Sequence, residues 1–433
     1  MDMGPEAQAF IVFSLGMLVF MGTGMNMGLA LVLTGAGMAW VLDFFDTQLL
    51  AQNLVAGVDS FPLLAVPFFI LAGELMNSGG ISRRIIDMAQ AWVGHIRGGL
   101  GYVAIGAAVL MASMSGSALA DTAALATILL PMMRQQGYPM NTSAGLIASG
   151  GIIAPIIPPS MPFVIYGVTT NTSISALFVS GIVPGLMMGV GLIFAWRWVL
   201  RGIDLPDSRP ALPLRERLRA TRKAFWAMLM PLIIIGGMKS GVFTPTEAAV
   251  VAAFYALAVA LFVHREMKVP EIYGVLVRAA KTTAIVMFLC AGAQVASYMI
   301  TLADLPTVLT GWLGPLVENP RLLMAVMMVV LVLIGTALDL TPTILIFAPV
   351  MLPIAVKAGI DPVYFGLMFV LNGAIGLITP PVGTVLNVVA GVGRISMHSV
   401  IKGVNPFLLT YVFILALLVV FPQLVTAPVH WMR

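Results

Sequence analysis

Residues 150–162 read Gly150-Gly151-Ile152-Ile153-Ala154-Pro155-Ile156-Ile157-Pro158-Pro159-Ser160-Met161-Pro162. Residues 372–383 read Asn372-Gly373-Ala374-Ile375-Gly376-Leu377-Ile378-Thr379-Pro380-Pro381-Val382-Gly383. Each lies inside a long apolar stretch, 140–170 and 362–393, that would otherwise be one helix. Proline removes a backbone donor and clashes with the preceding turn. Adjacent prolines should therefore end one half-helix and start another. The two breaks lie 222 residues apart, Pro158-Pro159 pairing with Pro380-Pro381.

The same shift aligns much of the chain. Pro131 meets Pro353, Gly137 meets Gly359, Gly151 meets Gly373 and Pro184 meets Pro406. Composition says what medium holds the repeat. Of 433 residues, 60% are apolar and 9% charged. The mean hydropathy is +1.03. Soluble domains carry roughly 25% charged residues. So little charge cannot coat a water-facing surface, which excludes a soluble enzyme, a nucleic-acid binder and a disordered chain. Cys290 stands alone, so no internal disulfide forms. The opening Met1-Asp2-Met3-Gly4-Pro5-Glu6 is acidic and lacks the basic segment of a cleavable signal peptide.

A crossing helix needs roughly 20 apolar residues. Full spans are expected at 7–22, 25–42, 61–78, 173–196, 224–240, 247–263, 279–300 and 404–425. Residues 98–134 and 321–358 each hold two shorter apolar arms, joined at Ser115-Gly116-Ser117 and around Thr336 to Pro342. They are taken as re-entrant hairpins. Two ordinary crossings each would leave the parity unchanged. The fold class is thus an all-α polytopic membrane protein with two inverted repeats. Repeat 1 is 1–200, a linker fills 201–223, and repeat 2 is 224–433. Each repeat holds five transmembrane crossings plus one re-entrant hairpin, and odd parity inverts the second. The 22 basic residues test this scheme, dividing 18 to 4 between the two faces. The richer face, from Arg83 to Lys402, is then cytoplasmic. Lys239, Arg321, Lys357 and Arg433 fall on the other face, with both termini. The linker, Arg201 to Lys223 with Pro206, Pro210 and Pro213, suits a solvated connection anchored at anionic lipid. Residues 81–97 and 303–318 are mildly amphipathic and suit surface arms leading into the hairpins.

Non-helical backbone at membrane depth must be covered by protein or water. Exposed carbonyls there can replace a sodium ion's hydration shell, and half-helix N-termini suit a carboxylate. Each hairpin tip is expected to meet the break of its own half. The first cation site is assigned to Ser115, Gly116, Ser117 and Asp121, with Gly150, Pro158 and Ser160. The second is assigned to Gly335, Thr336 and Asp339, beside Ala337, with Gly373, Gly376, Thr379 and Pro380. Small and hydroxylic residues also serve close helix packing, and either aspartate would cap a half-helix. Glu74 is a third acid, within reach of Arg83 or Arg84. Ser117, Tyr166, Thr169, Thr341 and Asn387, with Thr170 and Asn171, offer hydrogen bonds to a substrate or interfacial anchoring. His95, His264, His398 and His430 have no metal spacing, and no phosphate-binding Gly-Lys-Ser/Thr loop occurs. No catalytic constellation is present, so an integral-membrane enzyme is disfavoured. A passive channel and a stand-alone sodium- or proton-coupled symporter or antiporter remain as rivals.

The stretch Ser113 to Gly185, with Met114-Ser115-Gly116-Ser117-Ala118-Leu119-Ala120-Asp121 and Gly151 to Ser160, closely resembles the large permease subunit of TRAP transporters. These are tripartite ATP-independent periplasmic transporters. Gly376 to Gly383 fits their second signature, and the resemblance covers essentially the whole chain. It implies a sodium-driven importer of a small organic acid: a dicarboxylate, sialic acid, or another sugar or keto acid. It implies two or more coupling Na+ ions and an elevator-type mechanism in a bacterial inner membrane. Its partners would be a periplasmic substrate-binding protein and a separate small four-helix membrane subunit. Carried over by resemblance, Ser115, Ser117 and Asp121 serve one sodium site, and Thr336, Asp339 and Thr379 the other.

Overall fold

The computed structural model describes residues 5–203, 205, 210–305, 307, 311, 314–336 and 338–431. Met1 to Gly4, Pro206, Ala337 and Arg433, named above, lie outside them, as does part of the second arm. The described residues are helical and contain no strand.

The first series of helices is α1 (Pro5–Gly22), α2 (Met27–Val41), α3 (Thr47–Ala56), α4 (Ala65–Ser78), α5 (Ile81–Val93), α6 (Gly99–Ser115), α7 (Ala118–Gln135), α8 (Met140–Gly151), α9 (Met161–Thr170) and α10 (Ile174–Val199). The second is α11 (Leu214–Lys239), α12 (Pro245–Ala258, closed by a π turn at Val259–Val263), α13 (Val269–Leu302), α14 (Pro320–Gly335), α15 (Leu340–Lys357), α16 (Pro362–Gly376), α17 (Thr384–Gly393) and α18 (Met397–Val420). A short α19 (Gln423–Trp431) follows. Among the described residues, six helices are long and apolar enough to cross a membrane.

Helix starts follow from local chemistry. Ser117, Ser160, Ser173, Asn319, Asp361 and Ser396 each place a side-chain oxygen on a first-turn amide. Thr244 and Glu247 form a capping box, with Pro245 at the first helical position. The 222-residue offset recurs in the elements: α7 and α15 match at both ends, and α10 and α18 agree within one residue.

Three elements differ from expectation. Helix α3 is an extra, short, largely exposed helix before α4. Its counterpart by offset is the first third of α13, where 34 residues run unbroken. Gly57 to Leu64, which ends in a 3-10 turn at Phe61–Leu64, separates α3 from α4 in the first series. The expected linker is helical from Leu214, so α11 begins within the charge run, after Pro213.

Two layers emerge. In one, α2 packs on α13, α4 on α12, α1 on α2 and α11 on α12. Gly28 and Gly292 touch backbone to backbone there, as small residues allow in membrane helices. In the other, α6 and α7 both pack on α8, and α14 and α15 both pack on α16. The second half of each broken helix crosses over: α9 lies on α15, and α17 lies on α7. Every residue of α8 from Ser143 to Gly151, and of α16 from Val363 to Gly376, is buried. Helices apolar on all sides belong in a core, so the two broken helices form the centre of this layer.

Glu74 meets neither Arg83 nor Arg84. Its carboxylate accepts from the Arg278 Nε at 3.0 Å, and Arg278 also donates to Ser78. Arg84 instead pairs with Glu266 at 2.6 Å. Both pairs link the first series of helices to the second, and both are partly exposed. Such pairs contribute about 0–1 kcal/mol each.

Candidate ion and substrate site

Helix α6 ends at Ser115, and Gly116 turns the chain with φ +61°. Only glycine adopts that backbone without penalty. A Cβ at Gly116 would stand 2.7 Å from the Pro159 carbonyl oxygen and 3.0 Å from the Met161 amide nitrogen. The first tip thus lies directly on the break of its own half. The break runs from Ile152 to Ser160 through a cis Pro158-Pro159 bond and then re-enters helix at Met161.

Asp121 sits one turn into α7 and is 1% exposed. The Ser115 hydroxyl donates to its Oδ1 at 2.5 Å. The same hydroxyl oxygen accepts from the Ser117 amide at 3.1 Å. Ser117 caps α7 through the Ala120 amide. The other carboxylate oxygen, Oδ2, is buried with no hydrogen-bond partner. The hydroxyls of Thr122 and Ser149 are likewise buried and unpartnered. Sequence reasoning missed both; their only signal was proximity to the tip and the break.

Of the first-site residues, the tip therefore brings together Ser115, Gly116, Ser117 and Asp121, and places them against Pro159 and Ser160. A Cβ at Gly150 would face the Ala108 side chain of α6 at 3.1 Å. Pro158 belongs to the buried break. The Ser160 hydroxyl donates to the Pro155 carbonyl at 2.5 Å, and its oxygen caps α9.

The second tip packs on its break through glycine. A Cβ at Gly376 would stand 2.7 Å from Gly335 Cα and 2.8 Å from its carbonyl carbon. Gly373 lies under the Leu340 side chain. Pro380-Pro381 is again cis. The Thr336 and Thr379 hydroxyls donate back to Leu333 and Ile375, at 2.7 and 2.8 Å. Neither hydroxyl oxygen accepts a hydrogen bond among the described residues, so each can still accept or ligate. Asp339 is the N-cap of α15, yet its carboxylate makes no capping bond. Asn372 was read only as part of the break. Its Nδ2 donates to the Met328 carbonyl at 2.5 Å, and its Oδ1 is buried without a partner.

The two acids are not equivalent by position. At an offset of 222, Asp339 matches Ser117, and Asp121 matches Thr343. The acid is displaced by one helical turn between the tips. The Thr343 hydroxyl folds back on the Asp339 carbonyl at 2.8 Å.

Among the described residues, no three of His, Cys, Asp and Glu cluster. The donors at the tips are hydroxyls, carbonyls and one carboxylate each. Oxygen donors suit a hard cation rather than a thiophilic metal. A buried carboxylate oxygen without a partner costs several kcal/mol unless a cation or proton compensates it, and Asp121 Oδ2 is such an oxygen.

The expected substrate residues make separate contacts. Tyr166 is buried, its ring 5.8 Å from that of Phe369. Asn387 donates to Val382 on the exposed side of the second break. Thr341 lies in the first turn of α15. Thr170 donates to the Tyr166 carbonyl at 2.6 Å, ending α9 with Asn171 in the left-handed region. A cavity of about 310 Å³ does gather Thr169 and Asn171 with Ser60, Gln294 and Ser297. It lies between the two layers, with Cys290 in its wall.

An all-helical membrane protein with paired hairpins closed on paired broken helices has the architecture of a membrane transporter. A solved structure, that of the Alcanivorax borkumensis YdaH transporter, shares this fold with a TM-score of 0.64 and 16% identity, covering 86% of this chain and 87% of that one. Residues 14–424 match the family described as tripartite ATP-independent periplasmic transporter, DctM component, and the chain belongs to it as a TRAP transporter large permease. It is 52% identical to the 2,3-diketo-L-gulonate TRAP transporter large permease protein YiaN of Escherichia coli K12, over 97% of this chain and 100% of that protein. It is 39% identical to the sialic acid TRAP transporter large permease protein SiaM of Vibrio cholerae, over 94% and 95%. The C4-dicarboxylate TRAP transporter large permease protein DctM of Pseudomonas aeruginosa is 40% identical, over 88% and 90%.

Proposed function

We propose that this permease imports a small organic acid by sodium-coupled secondary transport. The uncommitted Asp121 Oδ2, buried at a tip that closes on a helix break, carries this proposal. A sodium ion there offsets the buried charge, and it binds only while tip and break stay together. The second tip offers Asp339, Thr336 and Thr379 to a further ion. The layer of hairpins and broken helices moves as one body against a scaffold of α1, α2, α11 and α12. The hydroxyls, carbonyls and half-helix N-termini at the breaks hold the acid. In this scheme the two halves are inverted repeats in a bacterial inner membrane, with both termini periplasmic. A periplasmic binding protein delivers the acid, and a small four-helix subunit completes the scaffold.

The relatives' names span a diketo sugar acid, a sialic acid and C4-dicarboxylates. The 52% identity makes 2,3-diketo-L-gulonate the first acid to try. Two sodium ions with a monoanion carry one net charge inward, which yields about 2.3 kcal/mol at 100 mV. That alone supports roughly fiftyfold accumulation. Proteoliposomes holding the large and small subunits, with loaded binding protein outside, test the scheme. Uptake is expected only with an inward sodium gradient. Uptake that persists in potassium, or without the binding protein, contradicts it and favours a stand-alone carrier.

A further inference from the structure

A second polar cavity, of about 520 Å³, lies where three segments meet. Helix α5 brings Arg83, Arg84 and Asp87; α11 brings Arg222, Lys223 and Trp226; the turn after α12 brings His264 and Glu266. The charges do not balance. Glu266 is taken up by Arg84 at 2.6 Å. Its carboxylate also lies over Gly80, where a Cβ would collide with it, so it already fills the start of α5. Arg83, Arg222 and Lys223 make no ion pair among the described residues. Only Asp87 remains to oppose three cations. The His264 Nε2 is buried and has no hydrogen-bond partner. Burial first, and then the Arg84 cation, hold this imidazole below its ordinary pKa.

Like charges held in one concave site destabilise each other unless an anion joins them. Guanidinium groups match the oxygens of a phosphate in particular. The surroundings say which phosphate. The crevice opens at the end of the apolar run Pro245–Val263. Phe262 and Phe225, the sequence neighbours of the lining residues Val263 and Trp226, are 72% and 51% exposed. Trp226, which lines it, is 40% exposed. A soluble phosphate uses only the basic floor. An anionic phospholipid uses the floor for its headgroup and this aromatic rim for its acyl chains.

We propose that the crevice is a phosphate-binding site for an anionic phospholipid headgroup, held by Arg83, Arg222 and Lys223. A bound headgroup ties α5, which leads into the first hairpin, to α11 of the opposite layer. Lipid composition would then bear on how freely the hairpin layer moves.

The test uses the full-length chain in detergent, stripped of lipid. Dioleoyl phosphatidylglycerol and dioleoyl phosphatidylcholine are titrated in native mass spectrometry and in thermal unfolding. Sodium phosphate and sodium chloride at equal ionic strength form the parallel arms. Arg222→Gln with Lys223→Gln is the variant, since both side chains are exposed, and Arg201→Gln is the charge control. Phosphatidylglycerol is expected to bind saturably and to raise the unfolding midpoint. Its apparent affinity should fall about tenfold or more in the double variant but not in the control. If sodium phosphate alone gives the variant-sensitive shift, the site takes a soluble phosphate and the lipid assignment is wrong. Equal phosphatidylglycerol affinity in wild type, double variant and control overturns the site altogether.

Discussion

Asp121→Asn is expected to remove sodium-dependent uptake, by about 100-fold or more, while leaving the chain folded. The side chain keeps its size, and the Ser115 hydroxyl can still donate to the oxygen that it meets at 2.5 Å. What is lost is the charge. An unpaired buried carboxylate costs several kcal/mol, so the variant in potassium should be at least as stable as the wild type. Sodium separates the two. An ion present at 100 times its Kd stabilises by about 2.7 kcal/mol. The rise in unfolding temperature from potassium to sodium should therefore be larger in the wild type than in the variant, which keeps only the ion at the second tip. Ser115→Ala should have a smaller effect of the same sign, since it removes one neutral ligand. Binding of ion and acid is reciprocal, so the sodium dependence of acid affinity should also be weaker in the variant. Uptake in proteoliposomes and unfolding midpoints in the two salts decide it. A variant whose uptake and sodium response match the wild type contradicts the assignment.

The second large effect is expected at Gly376→Ala. The added Cβ would meet Gly335 at 2.7 Å from its Cα, 2.8 Å from its carbonyl carbon and 2.9 Å from its oxygen. All three are backbone atoms, so no rotamer change relieves the contact. The second tip must lift from the break. Overpacking of this kind costs about 1–3 kcal/mol. Loss of tip–break closure should abolish transport even where the chain still reaches the membrane. Gly335→Ala presses on the same contact from the other side, its Cβ 3.1 Å from Gly376 Cα. The double variant should then cost less than the sum of the singles, because one separation relieves both clashes. Thermal unfolding with uptake measures this. Full additivity would show that the two glycines do not share a contact.

The breaks were the most legible part of the sequence, because Pro-Pro within an apolar run has one local consequence. The ungapped offset was equally legible and recurs in the helix ends. The charge run after Arg201 was misread in part. Charge looked like a linker, yet Leu214 onward is helix, because α5 packs against it and the Trp92 Nε1 donates to Thr221 across the contact. Composition cannot show that partner. The Glu74–Arg278 pair joins residues 204 apart in sequence, so local spacing pointed to Arg83 and Arg84 instead. The acids of the two tips were matched by type. The offset itself assigns Asp339 to Ser117, and the structure shows one as an N-cap and the other as its equivalent. Asn372 and Thr122 were passed over because a buried amide or hydroxyl draws notice only once its missing partner is seen. The substrate residues were the least legible. Hydrogen-bonding side chains after a break have no signature that separates a helix end, as at Thr170, from a cavity wall, as at Thr169.

Sodium binding at the hairpin tips underlies all of these expectations. Equilibrium binding of sodium-22 to the purified chain, with potassium as competitor, tests it without knowledge of the acid. The wild type is predicted to hold two or more saturably bound ions that potassium does not displace, with one of them missing in Asp121→Asn. Binding that is absent from the wild type, or unchanged in the variant, would contradict it.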